Sequence, residues 1–202
     1  TMNAFDYADY YRNPVLILGD GILGQMVEPV ELKEYNSILK LPSKKEWILN
    51  GCSGREPHVI KTLLLIPSDF LIKHNIHLED KYEKIKNDLY LFEEYKTEDA
   101  EIIIAAYGIT GRVCKEAVAI ARKNGINAGL IRPITLWPFP DKIFKKNQDK
   151  DILVVEMSNG QFIEDVKLST ECKSKIYFLG HGGGWYPDTK QVLEKLSEIK
   201  NE

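Results

Sequence analysis

The chain has 202 residues, of which 44% are hydrophobic and 28% are charged, and its formal net charge is −3. A chain of this length can form one large or two small domains with a core of their own. The slightly acidic balance argues against nucleic acid and anionic membranes as partners, and no apolar run is long enough to span a bilayer.

The cysteines and histidines do not predict a metal site or a disulfide. Cys52, Cys114 and Cys172 are far apart and form no CxxC pair, which argues against disulfides and against cysteine-bound zinc or iron–sulfur clusters. His74 and His77 have a ligand-like spacing, but no third ligand follows nearby. No basic and apolar leader opens the sequence, so we expect a reducing, cytoplasmic location.

The first residues predict the end of an α/β domain. The stretch AFDYADYYRNP (4–14) predicts the tail of a helix with Phe5, Ala8 and Tyr11 on one face. Arg12-Asn13-Pro14 is predicted to stop it, because the residue before a proline avoids helical angles. Residues 14–18, PVLIL, are uniformly apolar, as buried parallel strands are. A lone parallel strand has no neighbour to pair with. We therefore expect the chain to enter this domain partway through.

Residues 29–67 predict a long ordered arm, because their periodicity is weak and several apolar side chains need burial. These side chains are Trp47, Ile48, Leu63, Leu64, Leu65 and Ile66. A helix is predicted from Ser68 onward, with one apolar seam on a charged surface. The seam consists of Leu78, Tyr82, Ile85, Leu89 and Phe92. We interpret this helix as packed on a domain face rather than as a coiled-coil partner.

From Glu101 onward, strands and helices alternate. Strands are predicted at 102–107, 127–132, 151–156 and 175–180, with helices after Thr110, at 141–147, after Gly160 and after Asp188. Gly125 is predicted to end the first of these helices, and Asp188 with Gln191 to form a capping box at the last. The pattern predicts an α/β fold with a mostly parallel sheet and helices on both faces.

The turn Gly19-Asp20-Gly21 is the first candidate site. Glycine lets a backbone approach phosphate oxygens closely, and aspartate is a hard oxygen ligand suited to magnesium. Asn50 follows at a distance where a thiamine-diphosphate motif expects an asparagine. On the residues alone two interpretations remain open: a magnesium and diphosphate site, or a turn after a strand.

Other candidates lie at the carboxyl ends of the predicted strands, where open α/β sheets bind ligands. Glu156 ends an apolar strand, where a carboxylate needs a partner or a function, and Gln161 follows it in the same turn. The turn that begins at Tyr107 can accept an anion at the start of its helix. None of these turns carries a dinucleotide or phosphate-loop fingerprint.

Three further features have a structural interpretation beside a functional one. Arg55, Glu56 and His58 form either a salt-bridged corner or a contact with a cofactor or partner. Cys114, near the start of a predicted helix, is interpreted as core packing rather than as a reactive thiolate. The glycines at 182–184 are interpreted as a strand-to-helix turn rather than as a phosphate site.

Several stretches together resemble one protein family. They are YRNPVLILGDGILGQMVEPVE (11–31), GREPHVI (54–60), AYGITGRVCKEAV (106–118), GLIRPITLWPFP (129–140) and EMSNGQFIEDVKL (156–168). On these motifs the chain resembles the thiamine-diphosphate-binding, alpha-type subunit of 2-oxoacid:ferredoxin oxidoreductases. Within that family it is most similar to the 2-oxoisovalerate (3-methyl-2-oxobutanoate) branch.

The resemblance implies a three-part architecture. Residues 1–32 correspond to the end of a truncated pyrimidine-binding domain, 33–100 to a connecting arm with an amphipathic helix, and 101–202 to a transketolase C-terminal-like domain. The chain then represents the C-terminal portion of the subunit. The family's activating glutamate would precede Thr1, so the resemblance assigns no catalytic residue here and implies that the isolated chain is inactive.

The resemblance also implies the chemistry of the whole complex, which is oxidative decarboxylation of a 2-oxo acid to an acyl-CoA. Thiamine diphosphate and magnesium would be the cofactors and coenzyme A the co-substrate. The implied partners are the thiamine-diphosphate-binding beta-type subunit, an iron–sulfur subunit carrying the clusters, and ferredoxin. In the family the magnesium-binding Gly-Asp-Gly turn lies on the partner subunit. Asp20, Gly21, Gln25 and Arg55 are therefore expected to face the cofactor or a subunit interface, without binding metal.

A second interpretation is a non-catalytic assembly module of the α/β class. It is based on the lack of a complete catalytic constellation and on the charged helix predicted at 78–95. Measured binding of thiamine diphosphate, magnesium and coenzyme A to the chain alone would separate the two interpretations. A small nucleotide-binding domain is disfavoured by the missing glycine fingerprint.

Overall fold

The computed structural model describes residues 1–31, 34–37, 39–41, 43, 48–57, 59 and 68–202. The chain forms two compact units. The N-terminal unit contains Thr1–Leu18 and Val27–Ile85, and the sheet unit contains Gly19–Met26 and Lys86–Glu202. The division into residues 1–32, 33–100 and 101–202 stays a prediction about the architecture of a longer subunit.

The described part of the N-terminal unit contains α1 (Met2–Tyr11) and most of α3 (Ser68–Asp88), whose residues from Lys86 onward belong to the sheet unit. The ammonium of Lys84 lies 4.9 Å from the centre of the Tyr10 ring, and Tyr11 and Ile85 are buried. Helix α1 confirms the predicted helix tail and its stop before Pro14. It ends at Arg12, which adopts the left-handed conformation common at helix C-termini.

The sheet unit contains five strands: β1 (Phe92–Tyr95), β2 (Ile102–Ala105), β3 (Ala128–Pro133), β4 (Asp151–Glu156) and β5 (Ile176–Gly180). They lie in the order β1-β3-β2-β4-β5, and every pairing is parallel except that of β1 with β3. The five helices of this unit are α2 (Gly21–Gln25), α4 (Gly108–Lys123), α5 (Asp141–Lys146), α6 (Phe162–Ser169) and α7 (Thr189–Lys200).

Helices cover both faces of the sheet, because alternate strand residues point to opposite sides. Ile104 packs in a core with α4 and α7, whereas its neighbour Ile103 packs in a second core with α5 and α6. Both side chains are fully buried, and burial of such a side chain stabilises the fold by about 1.5–3 kcal/mol. The predicted α/β class with a mostly parallel sheet and helices on both faces is confirmed.

Local signals predicted the ends of these helices well. The Asp188 side chain accepts a hydrogen bond from the Gln191 N–H, and the Gln191 side chain accepts one from the Asp188 N–H, so the predicted capping box is confirmed. Helix α4 ends at Lys123, and Gly125 follows with a φ of 77°. This left-handed glycine is the predicted stop signal.

The strand predicted at 14–18 is wrong. These residues are exposed, with 83% of Leu16 and 77% of Leu18 accessible to solvent, and they pair with no strand in the described part of the chain. A strand is stabilised by backbone bonds to a neighbour, so an apolar run alone does not produce one. Ile48, predicted to be buried, is 42% exposed. Trp47 and residues 63–66 lie outside the described residues.

The predicted helical seam is correct up to Ile85 and wrong beyond it. Helix α3 ends at Asp88, and Phe92 instead begins β1, where it pairs with Pro133. Leu91 makes this change possible, because its N–H donates to Thr135 Oγ1 over 2.9 Å and its carbonyl accepts from Ile134. The sheet therefore begins within the range assigned to the arm. In the described residues, no helix is long and apolar enough to cross a membrane.

Candidate functional site

The candidate site lies at the topological switch point of the sheet. Strand β2 lies between β3 and β4; the chain leaves β2 through α4 towards β3 and leaves β4 through α6 towards β5. The two connections therefore diverge at the carboxyl ends of β2 and β4. Ligands of open α/β proteins bind in the crevice at such a point. We call the region between the turns at 106–110 and 156–162 the switch-point crevice.

A carboxylate from a distant part of the chain caps the helix on the β2 side. Tyr107 precedes α4 but makes no side-chain capping bond. Instead, Asp20 Oδ2 accepts a 2.9 Å hydrogen bond from the Ile109 N–H, and Oδ1 accepts a 2.8 Å bond from the Leu23 N–H. One carboxylate thus satisfies orphan amides at the starts of both α4 and α2.

Gly108 allows Asp20 to approach α4 this closely. Its φ is 61°, in the left-handed region that favours glycine. A Cβ at this position would lie 2.6 Å from Asp20 Oδ2, which is closer than any real contact of that kind. Both the backbone conformation and the space around it therefore require glycine.

A second carboxylate caps the helix on the β4 side. Glu156 is 1% exposed; its Oε2 accepts from the Phe162 N–H and its Oε1 from the Ile163 N–H, both over 3.0 Å. The Ser158 hydroxyl also bonds to Oε2. The predicted need of this carboxylate for a partner is confirmed, and the partner is the start of α6. Gln161 is exposed and makes no side-chain capping bond.

The two carboxylates determine the electrostatics of the crevice. The start of a helix carries about half a positive charge and attracts anions. At α4 and α6 this charge faces Asp20 and Glu156, which belong to the protein itself. The anion-binding turn predicted at Tyr107 therefore already holds an internal anion.

Aromatic rings of the core with α5 and α6 lie beside the crevice. The Tyr107 and Phe162 rings meet edge to face with centroids 5.1 Å apart, and Phe139 lies 6.0 Å from Phe162. Burial, followed by the nearby charges of Glu156 and Asp165, raises the pKa of the Tyr107 phenol. The phenol is therefore neutral at physiological pH. Its hydroxyl has no hydrogen-bond partner among the described residues and remains available as a donor.

An ion cluster lies on the β3 side. Glu93 on β1 pairs with Arg132 over 2.7 Å and with Lys115 of α4 over 2.6 Å. The hydrogen bonds from Lys115 and Arg132 lower the pKa of the Glu93 carboxyl. Gly111, in the first turn of α4, leaves room for the Arg132 side chain, whose Cδ would lie 3.0 Å from an added Cβ.

The structure brings only some of the predicted site residues to the crevice. Asp20 lies there, Gly21 is the first residue of α2, and Gln25 is its exposed last residue. Arg55 belongs to the N-terminal unit, where it donates hydrogen bonds to the backbone carbonyls of Ile48 and Glu56. His58 lies outside the described residues. The expectation that these residues face a cofactor or interface stays a prediction.

The described residues do not fit a magnesium–diphosphate site. Both oxygens of Asp20 accept backbone N–H bonds, so this carboxylate is already engaged by the starts of two helices. No group of three or more histidine, cysteine, aspartate or glutamate side chains in the described part of the chain could hold a metal ion. Asn50 is exposed in the N-terminal unit.

Sequence reasoning missed two contacts between turns. One is the bond from Ile109 to Asp20, and the other joins Gly182 N–H to Asn159 Oδ1 over 3.1 Å, which ties the turn after β5 to the turn after β4. The first had a weak signal, since Tyr107 is a poor capping residue and α4 therefore needs an acceptor from elsewhere.

Comparison with known proteins gives these features a family context. Residues 100–192 match the family described as pyruvate:ferredoxin oxidoreductase core domain II. The chain is 40% identical to ketoisovalerate oxidoreductase subunit VorB of Methanothermobacter marburgensis, with 100% of this chain and 57% of that protein covered. It is 29% identical to 2-oxoglutarate synthase subunit KorA of Methanocaldococcus jannaschii, with 91% of this chain and 56% of that protein covered. The chain thus spans little more than half the length of these curated relatives.

A solved structure shares the fold. The 2-oxoglutarate:ferredoxin oxidoreductase from Magnetococcus marinus, with 2-oxoglutarate, coenzyme A and succinyl-CoA bound, aligns with a TM-score of 0.53 and 18% identity. The alignment covers 65% of this chain and 23% of that chain. Residues 100–192 therefore carry the sequence pattern of a pyruvate:ferredoxin oxidoreductase core domain II, and the chain is related to subunits of 2-oxoacid oxidoreductases.

Proposed function

We propose that the chain is part of the alpha-type subunit of a 2-oxoacid:ferredoxin oxidoreductase, which converts a 2-oxo acid to an acyl-CoA and passes electrons to ferredoxin. The observation that carries this proposal is the 40% identity to a ketoisovalerate oxidoreductase subunit along the whole chain. Because this identity exceeds the 29% to a 2-oxoglutarate synthase subunit, we propose 2-oxoisovalerate as the substrate.

In this proposal the sheet unit helps to shape an active site that partner chains complete. At the switch-point crevice, Tyr107 packs on Phe162 and carries a neutral hydroxyl. The N-termini of α4 and α6 already bind the carboxylates of Asp20 and Glu156, so neither is open to bind a diphosphate. We therefore assign thiamine diphosphate and magnesium to the assembled complex, iron–sulfur clusters to a partner subunit, and no catalytic residue to this chain.

The N-terminal residues fit the same proposal. Residues 14–18 are apolar and exposed, as expected of a segment whose packing partners belong to another part of a longer subunit. We propose that residues 1–32 are the end of a pyrimidine-binding domain. The expected location is the cytoplasm, where ferredoxin-linked enzymes find reduced partners.

The test is reconstitution. The full-length gene product that contains these 202 residues is co-expressed with the beta-type and iron–sulfur subunits, and reduction of a viologen dye is followed with 2-oxoisovalerate, 2-oxoglutarate and pyruvate. We expect dye reduction that requires both thiamine diphosphate and coenzyme A and is fastest with 2-oxoisovalerate. An assembled complex that oxidises none of the three acids contradicts the proposal, whereas a preference for 2-oxoglutarate corrects only the substrate.

One observation favours a second function, that of a non-catalytic assembly module. Asp20 and Glu156, the two carboxylates at the crevice, both hold backbone amides rather than facing outward as acids or bases. Isothermal titration of the chain with thiamine diphosphate, magnesium and coenzyme A tests this function. Micromolar binding of any of them to the chain alone contradicts a purely structural module. Binding only after the partner subunits are added supports the shared active site.

A further inference from the structure

Residues 19–26 are a short segment of the sheet unit that is separated in sequence from the rest of that unit. They cluster with the sheet unit, although the residues on both sides of them, up to Leu18 and from Val27, cluster with the N-terminal unit. The segment contains α2, whose side chains are not buried. Ile22 and Leu23 are half-buried, and the other three residues of α2 are exposed.

Among the described residues, one carboxylate supplies the side-chain hydrogen bonds that attach this segment. Asp20 is partly buried, and its two oxygens accept from the Leu23 N–H within the segment and from the Ile109 N–H in the sheet unit. Hydrogen bonds from backbone amides to an ionised carboxylate are stronger than bonds between neutral groups. This contact requires glycine at position 108, since the Cβ of any other residue would displace Asp20 Oδ2.

We propose that Asp20 is a clamp, which holds residues 19–26 on the start of α4 and at the same time closes that helix terminus to anionic ligands. The clamp gives Asp20 a role distinct from the cofactor contact predicted from the Gly-Asp-Gly turn. It depends only on contacts within the chain, and thus not on the proposed enzymatic function.

The clamp predicts a specific pattern of amide hydrogen exchange in the 202-residue chain. In an Asp20→Ala variant, exchange at Leu23 and Ile109 should rise about fivefold, which corresponds to the loss of one capping interaction at each helix. Exchange in α5 and α7 should stay unchanged. An Asp20→Asn variant should lose protection mainly at one of the two amides, because an amide side chain has one acceptor oxygen where a carboxylate has two.

Asp188→Ala is the matched control, since Asp188 caps α7 through a similar bond but does not join two segments. It should raise exchange at Gln191 and leave residues 19–26 as they are. Equal exchange of Leu23 and Ile109 in the parent chain and in Asp20→Ala would overturn the proposal. So would an Asp188→Ala variant that loosens residues 19–26 as much as Asp20→Ala does.

A measurement on the unaltered chain tests the second half of the proposal. Inorganic phosphate is added while the Ile109 amide resonance is followed by NMR. Because Asp20 occupies this helix terminus, we expect no saturable shift up to about ten millimolar phosphate, well above the range of a built phosphate site. A saturable shift at Ile109 would show that an external anion displaces the Asp20 carboxylate. That result would overturn the proposal that Asp20 closes the N-terminus of α4 to anions.

Discussion

Glu156 Oε1 accepts a 3.0 Å hydrogen bond from the backbone N–H of Ile163, which joins the end of β4 directly to the start of α6. The other carboxylate oxygen of Glu156, Oε2, accepts a hydrogen bond from the backbone N–H of Phe162. Strand β4 ends at Glu156 and α6 begins at Phe162, so the connection is short, and the buried Glu156 carboxylate holds its two ends together. In this way the sequence orients α6 at the switch point without a capping side chain at Gln161.

Replacing Glu156 by Gln should destabilise the sheet unit by about 2 kcal/mol, because one of the two buried amides then faces an NH2 group instead of an acceptor. Urea denaturation followed by circular dichroism measures the change. Glu164→Gln, an exposed change in the first turn of α6, serves as the control and should stay within about 0.5 kcal/mol. Equal effects of the two substitutions would contradict the capping role.

Replacing Gly108 by Ala should destabilise the fold by about 2–3 kcal/mol. A left-handed alanine accounts for about 1–2 kcal/mol of this, and the contact of its Cβ with Asp20 Oδ2 accounts for the rest. The two parts separate in a double-mutant cycle, because only the contact depends on Asp20. In an Asp20→Ala background the Gly108 substitution should therefore have a smaller effect. Strict additivity of the two changes would rule out the steric part.

The Glu93 ion cluster should contribute to stability only while its carboxyl is charged. The folded-state pKa is lowered from 4.5 by Lys115 and Arg132, so the contribution is complete above that value and disappears as the pH falls through the folded pKa. Parent and Glu93→Gln chains should differ by about 0.5–1 kcal/mol at pH 7 and converge as the pH falls through the lowered folded pKa of Glu93. Urea titrations across this range, with exposed Glu98→Gln as the control, give the difference. A gap that widens in acid would contradict this sign.

The Tyr107 phenol should titrate above 10, the ordinary value, since burial and the charge of Glu156 disfavour its ionised form. The difference in ultraviolet absorbance between the parent chain and Tyr107→Phe isolates this one phenol from the other tyrosines. The same variant should unfold within about 0.5 kcal/mol of the parent, because no described residue bonds the hydroxyl. In the reconstituted complex, a loss of activity without a loss of stability would then indicate a ligand contact.

The three cysteines should divide into two classes of reactivity. Cys52 and Cys172 are exposed, whereas Cys114 is fully buried and burial raises the pKa of its thiol. A maleimide reagent should therefore label two thiols in the native chain and the third only after unfolding, as counted by mass spectrometry. Cys52→Ser combined with Cys172→Ser should abolish the native labelling. Rapid labelling of Cys114 in that variant would place it near the surface.

The order of elements from β2 to α7 could be predicted because its signals are local. Apolar runs, glycine turns and the Asp188 box each depend on residues a few positions apart. Strand β1 gave no such signal, since Phe92-Glu93-Glu94-Tyr95 continues the helical seam and becomes a strand only by pairing with β3. Residues 14–18 have the pattern of a strand but do not form one. Their composition is that of a strand, but no partner among the described residues is available to them.

The same distinction applies to the candidate site. A buried carboxylate at the end of β4 could be expected to need a partner, and that partner lies only a few residues away. The contact between Asp20 and Ile109 joins residues 89 positions apart, and no local pattern reports it. A turn with the composition of a metal site thus proved to be engaged with the backbone of a helix.

The sequence separation between Asp20 and Ile109 also has a consequence for the order of folding. Closing a flexible loop of 89 residues costs roughly 4 kcal/mol in chain entropy. One charge-assisted bond contributes about 1.5–3 kcal/mol, which does not offset that loss. Residues 19–26 should therefore dock only after the sheet has formed. For the same reason, this segment should be the first part of the sheet unit to detach in the native ensemble, well below the free energy of global unfolding.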